Sequence, residues 1–135
     1  MSTSPYLLTE PDFPIDSFCV RVPVLKGHLE AVFVEPSRDC STSDVEQIYT
    51  EFNENSKRLY GDLPSSPEQS VVILDRAPQP RFDVGINDGM SAVIGRLEVS
   101  NGWIKYLVLT DNLRKGAARG SVHVMEYLLR EGYVK

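Results

Sequence analysis

Basic residues are in short supply. Lys and Arg number 14 against 19 Asp and Glu, a formal net charge of −5. A chain that gripped nucleic acid or an anionic membrane would carry a basic stripe, so neither partner is expected. No stretch approaches the roughly 18 consecutive apolar residues of a membrane-spanning helix. Cysteine occurs only as Cys19 and Cys40, too few for a disulfide scaffold. Without a signal-peptide pattern, the pair reads as reduced thiols in a cytoplasmic protein, a bond between the two staying open. The only histidines, His28 and His123, have no ligand-spaced neighbours, so no metal site is expected.

What is present suits an ordinary globular chain: 135 residues, 41% hydrophobic and 24% charged. That length predicts one domain over 1–135 with a core that needs no staples. Residues 1–16, with Pro5, Pro11 and Pro14, read as an irregular lead-in.

The organising stretch follows. Phe18–Val24 alternates, placing Phe18, Val20, Val22 and Val24 on a buried face and Cys19 and Arg21 on the other. Cys19 reads as a small buried hydrophobe. Lys26-Gly27 permits a bend, and His28 stands at the mouth of a second strand, Leu29–Val34. A guanidinium at a strand centre and an imidazole at a strand mouth can converge on one small cavity. From the residues alone, an ion-paired or solvated arginine and a satisfied strand-end histidine are the better fit.

Beyond a polar loop, Ser43 to Glu46 fits a capping box that opens a helix over Ser43–Glu54. Val45, Ile48, Tyr49 and Phe52 share one face of it, expected to lie on the sheet. Val71–Leu74 reads as a buried strand. Pro78 and Pro80 forbid regular pairing, so residues 76–89 cross irregularly. Met90–Val99 and Trp103–Thr110 flank Asn101-Gly102, the clearest hairpin signal in the chain. The second of these strands is apolar on both faces and is expected to be covered on both. A final helix from Gly116 carries the stripe Ala118, Val122, Met125 and Leu129, with Gly132 as its stop. The pattern predicts an α+β fold: a mixed, largely antiparallel sheet with helices packed on one face.

Two blocks carry a resemblance. The segment RVPVLKGHLEAV, residues 21–32, resembles the arginine-to-histidine motif of the aspartate-semialdehyde dehydrogenases. The RAPQPR run from Arg76, the GMSAVIGR run from Gly89 and the DNLRKGAA run from Asp111 resemble the end of the same family. Their spacing is closest to its archaeal and fungal branch. The resemblance implies the C-terminal substrate-binding and dimerisation domain, with its glyceraldehyde-3-phosphate-dehydrogenase-like fold. It implies NADPH-dependent reductive dephosphorylation of L-aspartyl-4-phosphate to the semialdehyde, a step of lysine, threonine and methionine biosynthesis. A reductase of a related acyl phosphate or acyl-CoA, and a non-catalytic dimerisation module, are the alternatives.

By motif position, Arg21 would clamp the substrate's α-carboxylate, for which a planar bidentate fork is suited. His28 would be the general acid/base, its ordinary pKa allowing proton exchange near neutrality. Asn112 would approach the nicotinamide end of the cofactor, or else serve as a helix cap. Arg114, Lys115 and Arg119 read as a solvated helix face. The nucleophilic cysteine and a glycine-rich dinucleotide turn are not found in this sequence, so NADP is expected only with an N-terminal domain absent from it. Partners implied are a second copy through the sheet, a separate cofactor-binding chain and a small-molecule substrate.

Overall fold

The structure, a computed structural model, describes residues 12–135. The lead-in expected over 1–16 therefore lies mostly outside the described residues. Four strands form one sheet, β1 (His28–Val34), β2 (Val71–Leu74), β3 (Ala92–Ser100) and β4 (Trp103–Thr110), in the order β1-β4-β3-β2. β1 pairs antiparallel with β4 and β4 antiparallel with β3, whereas β2 lies parallel to β3. The mixed α+β expectation holds. Asn101 and Gly102, at φ of +52° and +77°, close the β3–β4 hairpin as their residue types predict.

The first predicted strand does not form. Residues 17–24 enter no ladder, and Phe18, Val20, Val22 and Val24 are 93%, 69%, 49% and 43% exposed. Alternation marks what a strand could bury but does not supply a neighbour to pair with. Cys19 is likewise exposed rather than buried. The bend at Gly27 and the strand after it are as expected.

Helix α1 runs from Thr42 to Tyr60, six residues beyond the expected end. Ser41, not Ser43, is its N-cap: the Ser41 hydroxyl accepts from Asp44 N–H and Asp44 accepts from Ser41 N–H. Aspartate reaches back as glutamate would, so the box sits two residues early. Ser41→Ala should cost about 1 kcal/mol, read by urea unfolding; an unchanged midpoint would show that the cap carries no stability.

The face α1 turns inward also differs from the expected one. Val45 is buried, Tyr49 meets Tyr106 edge-on at 6.4 Å, and Asn53 exchanges hydrogen bonds with both backbone groups of Val71. Ile48 and Phe52, expected beneath the helix, are exposed with Leu59. The packed positions recur at seven and eleven residues from Thr42, slightly rotated from the most apolar stripe.

Val84, Val93 and Leu109 form the buried cluster, with Leu74 and Ile86 packed against it. Because Val93 pairs with Leu109, both project from one face of the sheet, opposite Tyr106 and α1. The β2–β3 crossover covers that face near β2, through the single-turn α2 (Pro80–Asp83) and a 3₁₀ turn, Ile86–Gly89. Nearer β1 the same face is open: Leu29, Phe33 and Trp103 are 44%, 63% and 41% exposed. β4 is thus covered over part of its length only, short of the two-sided cover expected.

The final helix is shorter than predicted and turned. A π-turn, Arg114–Ala118, precedes α3 (Arg119–Arg130), and Ala117 breaks helical geometry between them. α3 docks through polar and aromatic groups: Tyr127 packs edge-on to Tyr60, and Arg130 binds Leu59 carbonyl and Asp62. Val122, Met125 and Leu129 stay about half exposed. An amphipathic stripe left on the surface marks a contact still to be made.

Candidate functional site

The site is built around the turn that leads into β1. Gly27 has a φ of +100°, and a Cβ there would lie 3.1 Å from both Leu109 Cδ1 and Val84 Cγ2. Only glycine takes that conformation without strain, so the turn rests directly on the core. Its N–H donates to Asn112 Oδ1 at 2.8 Å. His28, the next residue, opens β1 opposite Thr110 and is solvent-exposed. On the other side, Lys26 Nζ stands 3.6 Å from Asp111 Oδ2.

Asp111 is 1% exposed. Its Oδ1 accepts from the N–H groups of Leu113 and Arg114, at 2.9 and 3.0 Å, which ties off the end of β4. The capping role expected at Asn112 therefore belongs to its neighbour. Asp111 Oδ2 is buried without a hydrogen-bond partner. Lys26 and Asp111 were not legible as site residues, because an Asp-Asn before a helix reads as a cap.

The structure joins His28 and Asn112 through Gly27. Arg21 lies exposed in the unpaired segment, and no hydrogen bond or ion pair among the described residues ties it to that cluster. Two cavities, of about 30 and 210 Å³, open beside Ser66 and Pro67, one against His123 and the other against Arg119. Neither is lined by Arg21, His28 or Asn112. This chain presents a surface, not a closed pocket, at its arginine and histidine.

Arg114, Lys115 and Arg119 are not a solvated face. Arg114 and Arg119 bind Asp88, and Lys115 Nζ donates to Met90 carbonyl at 2.9 Å. Together they clamp a turn in which Asn87, Asp88 and Gly89 all have positive φ. Burial lowers the Lys115 pKa. The cations thus hold strained backbone in place.

Ser65, His123 and Glu126 look at first like a hydrolytic triad. Ser65 Oγ donates to Glu126 Oε2 at 2.6 Å, so His123 Nδ1, 2.9 Å from Ser65 Oγ, must itself be the donor. An imidazole that donates to the serine cannot take its proton. The cluster locks the loop after α1 onto α3.

Hydrogen bonds hold five carboxyls below their ordinary range: Asp83 through Arg76, Asp88 through Arg119, Glu126 through Ser65, Asp44 through Ser41 and Glu98 through Ser100. A depressed folded value contributes stability that is present above the unfolded pKa and lost as pH falls through the folded one. Tm is therefore expected to hold from pH 7 to about 5 and to fall below about pH 4, as followed by circular dichroism. Arg76→Met should flatten that fall, because it removes the bidentate partner, at 2.7 Å on both oxygens, of Asp83. An undiminished acid loss in the variant would discount this pair.

Among known families, residues 3–115 match the semialdehyde dehydrogenase dimerisation domain. The chain belongs to that family. It is 37% identical over 123 residues to the aspartate-semialdehyde dehydrogenase of Archaeoglobus fulgidus, covering 89% of this chain and 34% of that one. It is 31% identical over 128 residues to the malonyl CoA reductase (NADP) of Metallosphaera sedula, covering 91% and 35%. The crystal structure of the Candida albicans aspartate-semialdehyde dehydrogenase with NADP superposes with a TM-score of 0.68 at 29% identity, over 84% of this chain and 32% of that one. The chain thus spans about a third of the length of these relatives. Residues 12–135 do not by themselves fit a dinucleotide. No described strand runs into a helix through a glycine-rich turn, and Asn112 has already committed its Oδ1. No helix among the described residues is long and apolar enough to cross a membrane.

Proposed function

We propose that this chain is the substrate-binding and dimerisation part of an aspartate-semialdehyde dehydrogenase-like enzyme. It would act with a cofactor-binding part to reduce L-aspartyl-4-phosphate to L-aspartate-4-semialdehyde. The observation that carries the reading is the Gly27 turn, seated on the core and held by Asn112, which presents His28 at the edge of the sheet. His28 would pass protons to and from a thiol carried by the other part. Arg21 would bind the substrate's α-carboxylate through its two-pronged guanidinium. NADP would be held by that other part, with Asn112 able to offer it only its amide N–H groups.

The unpaired Phe18–Val24 segment fits the same reading. Its alternating apolar residues are exposed, and we assign them to a contact with the cofactor-binding part. We assign the Val122, Met125 and Leu129 stripe of α3 to the same contact. The open strip of Leu29, Phe33 and Trp103 is assigned to a second copy of this chain, as the family's description suggests. A cytoplasmic setting agrees with two cysteines that form no disulfide.

The malonyl CoA reductase match keeps an acyl-CoA substrate as the second reading. Both are decided by mixing the chain with the cofactor-binding part of an archaeal family member. Phosphate-dependent NADP reduction with aspartate semialdehyde is expected; reduction of malonyl-CoA instead would favour the second reading. No turnover in any mixture that forms a stable complex would leave a dimerisation module without catalysis.

A further inference from the structure

The geometry points to Asp111 and Asn112 as a positioning pair for His28, acting through the turn before it and not on any reactant. The inference rests on the reading of His28 as the proton-transfer group. Residues 26, 27 and 28 are each held by the end of β4 or the two residues that follow it. Lys26 faces Asp111 Oδ2, Gly27 N–H donates to Asn112 Oδ1, and His28 pairs with Thr110. Three successive residues before and at the imidazole thus meet three successive residues, Thr110 to Asn112, at and just beyond the end of β4.

The grip is built, not incidental. Gly27 is wedged between Leu109 and Val84 at a φ that only glycine tolerates well, so its amide has one direction in which to point. Asn112 Oδ1 meets it across 85 residues of sequence. Asp111 is anchored by two amides on Oδ1, and its Oδ2 is sealed from solvent with no hydrogen donor. Leaving a buried carboxylate oxygen bare is costly, and here the oxygen is spent on a charge 3.6 Å away at Lys26. Gly89 makes room for it, since a Cβ there would lie 2.8 Å from Oδ2. The Asp-Asn pair and the glycine of the GMS run therefore serve one purpose: they set the path by which the backbone reaches His28.

Two substitutions at Asn112 separate this role from ligand donation. Asn112→Asp keeps an oxygen for Gly27 N–H but has no N–H to offer a cofactor; Asn112→Ala has neither. In the isolated chain, Asn112→Ala should speed hydrogen exchange at the Gly27 amide roughly fivefold. It should also lower the heteronuclear NOE of the His28 amide, and Asn112→Asp should restore both. Asp111→Asn, which keeps the cap oxygen but loses the charge opposite Lys26, should lower the His28 NOE and leave the Leu113 and Arg114 amides protected. Unchanged Gly27 exchange in Asn112→Ala, or no recovery in Asn112→Asp, overturns the inference. In the assembled enzyme, Asn112→Ala should lower kcat about 10²-fold, with most of it recovered in Asn112→Asp. An aspartate variant as inactive as the alanine one, with Gly27 protected, would make Asn112 a ligand donor and overturn the positioning role. An inactive wild-type mixture would instead count against the enzymatic reading, and the two amide readouts would still decide the placement of the turn.

Discussion

His28→Ala should lower kcat of the assembled enzyme by about 10²- to 10⁴-fold, the usual worth of a positioned proton-transfer group. The loss should fall on kcat with KM nearly unchanged, because the imidazole is not the group assigned to hold the substrate. The side chain is exposed and takes part in no hydrogen bond among the described residues, so the variant should unfold at the same urea concentration as wild type. Arg21→Lys should show the opposite split, a raised KM, since an ammonium cannot reproduce a bidentate grip on a carboxylate. Steady-state kinetics on the two variants checks both. A His28→Ala enzyme within threefold of wild type would remove the imidazole from the mechanism.

The largest effect on stability is expected at Gly95. A Cβ there would lie 2.0 Å from Arg76 carbonyl oxygen and 2.9 Å from Pro78 Cδ. The obstruction is backbone, fixed in turn by Arg76 on Asp83 and by Gln79 N–H on the same carboxylate. It cannot step aside as a flexible side chain would. The crossover from β2 passes directly over β3 at this point, and the register then shifts between Gly95 and Glu98 as Arg96 takes a φ of +52°. Gly95→Ala should cost about 3 kcal/mol, a fall in Tm of about 10 °C. Gly85→Ala is the control, because nothing lies within 4 Å of its added Cβ; it should change stability by less than about 0.5 kcal/mol. Equal Tm values for the two variants would contradict the close approach at Gly95.

Local signals read well where local chemistry decides. Asn101-Gly102 determines its own turn, and the Val71–Leu74 run is a strand as its composition predicts. Gly27 was legible as a bend, though not as a wedge between Leu109 and Val84. The misreadings share a cause. Val20, Val22 and Val24 alternate as a strand does, yet pairing needs a neighbour that residues 12–135 do not hold. Ile48 and Phe52 lie on the more apolar stripe of α1, but Asn53, by bonding both backbone groups of Val71, fixes the helix a little round from it. At the site, the residue types of Arg21, His28 and Asn112 suggested roles one by one. Their grouping depends on which strand end faces which turn, and that is tertiary information. Asp111 carried no signal beyond that of a cap.

We propose that Arg21 joins His28 in one site only when the Phe18–Val24 segment gains a partner. Hydrogen exchange of the Phe18–Val24 amides, before and after addition of the cofactor-binding part, tests it directly. Exchange should be close to that of an unstructured chain in the isolated protein and should slow at least 10-fold, roughly the worth of a backbone hydrogen bond or two, in the complex. Amides that stay unprotected in a complex that turns over substrate would contradict the claim.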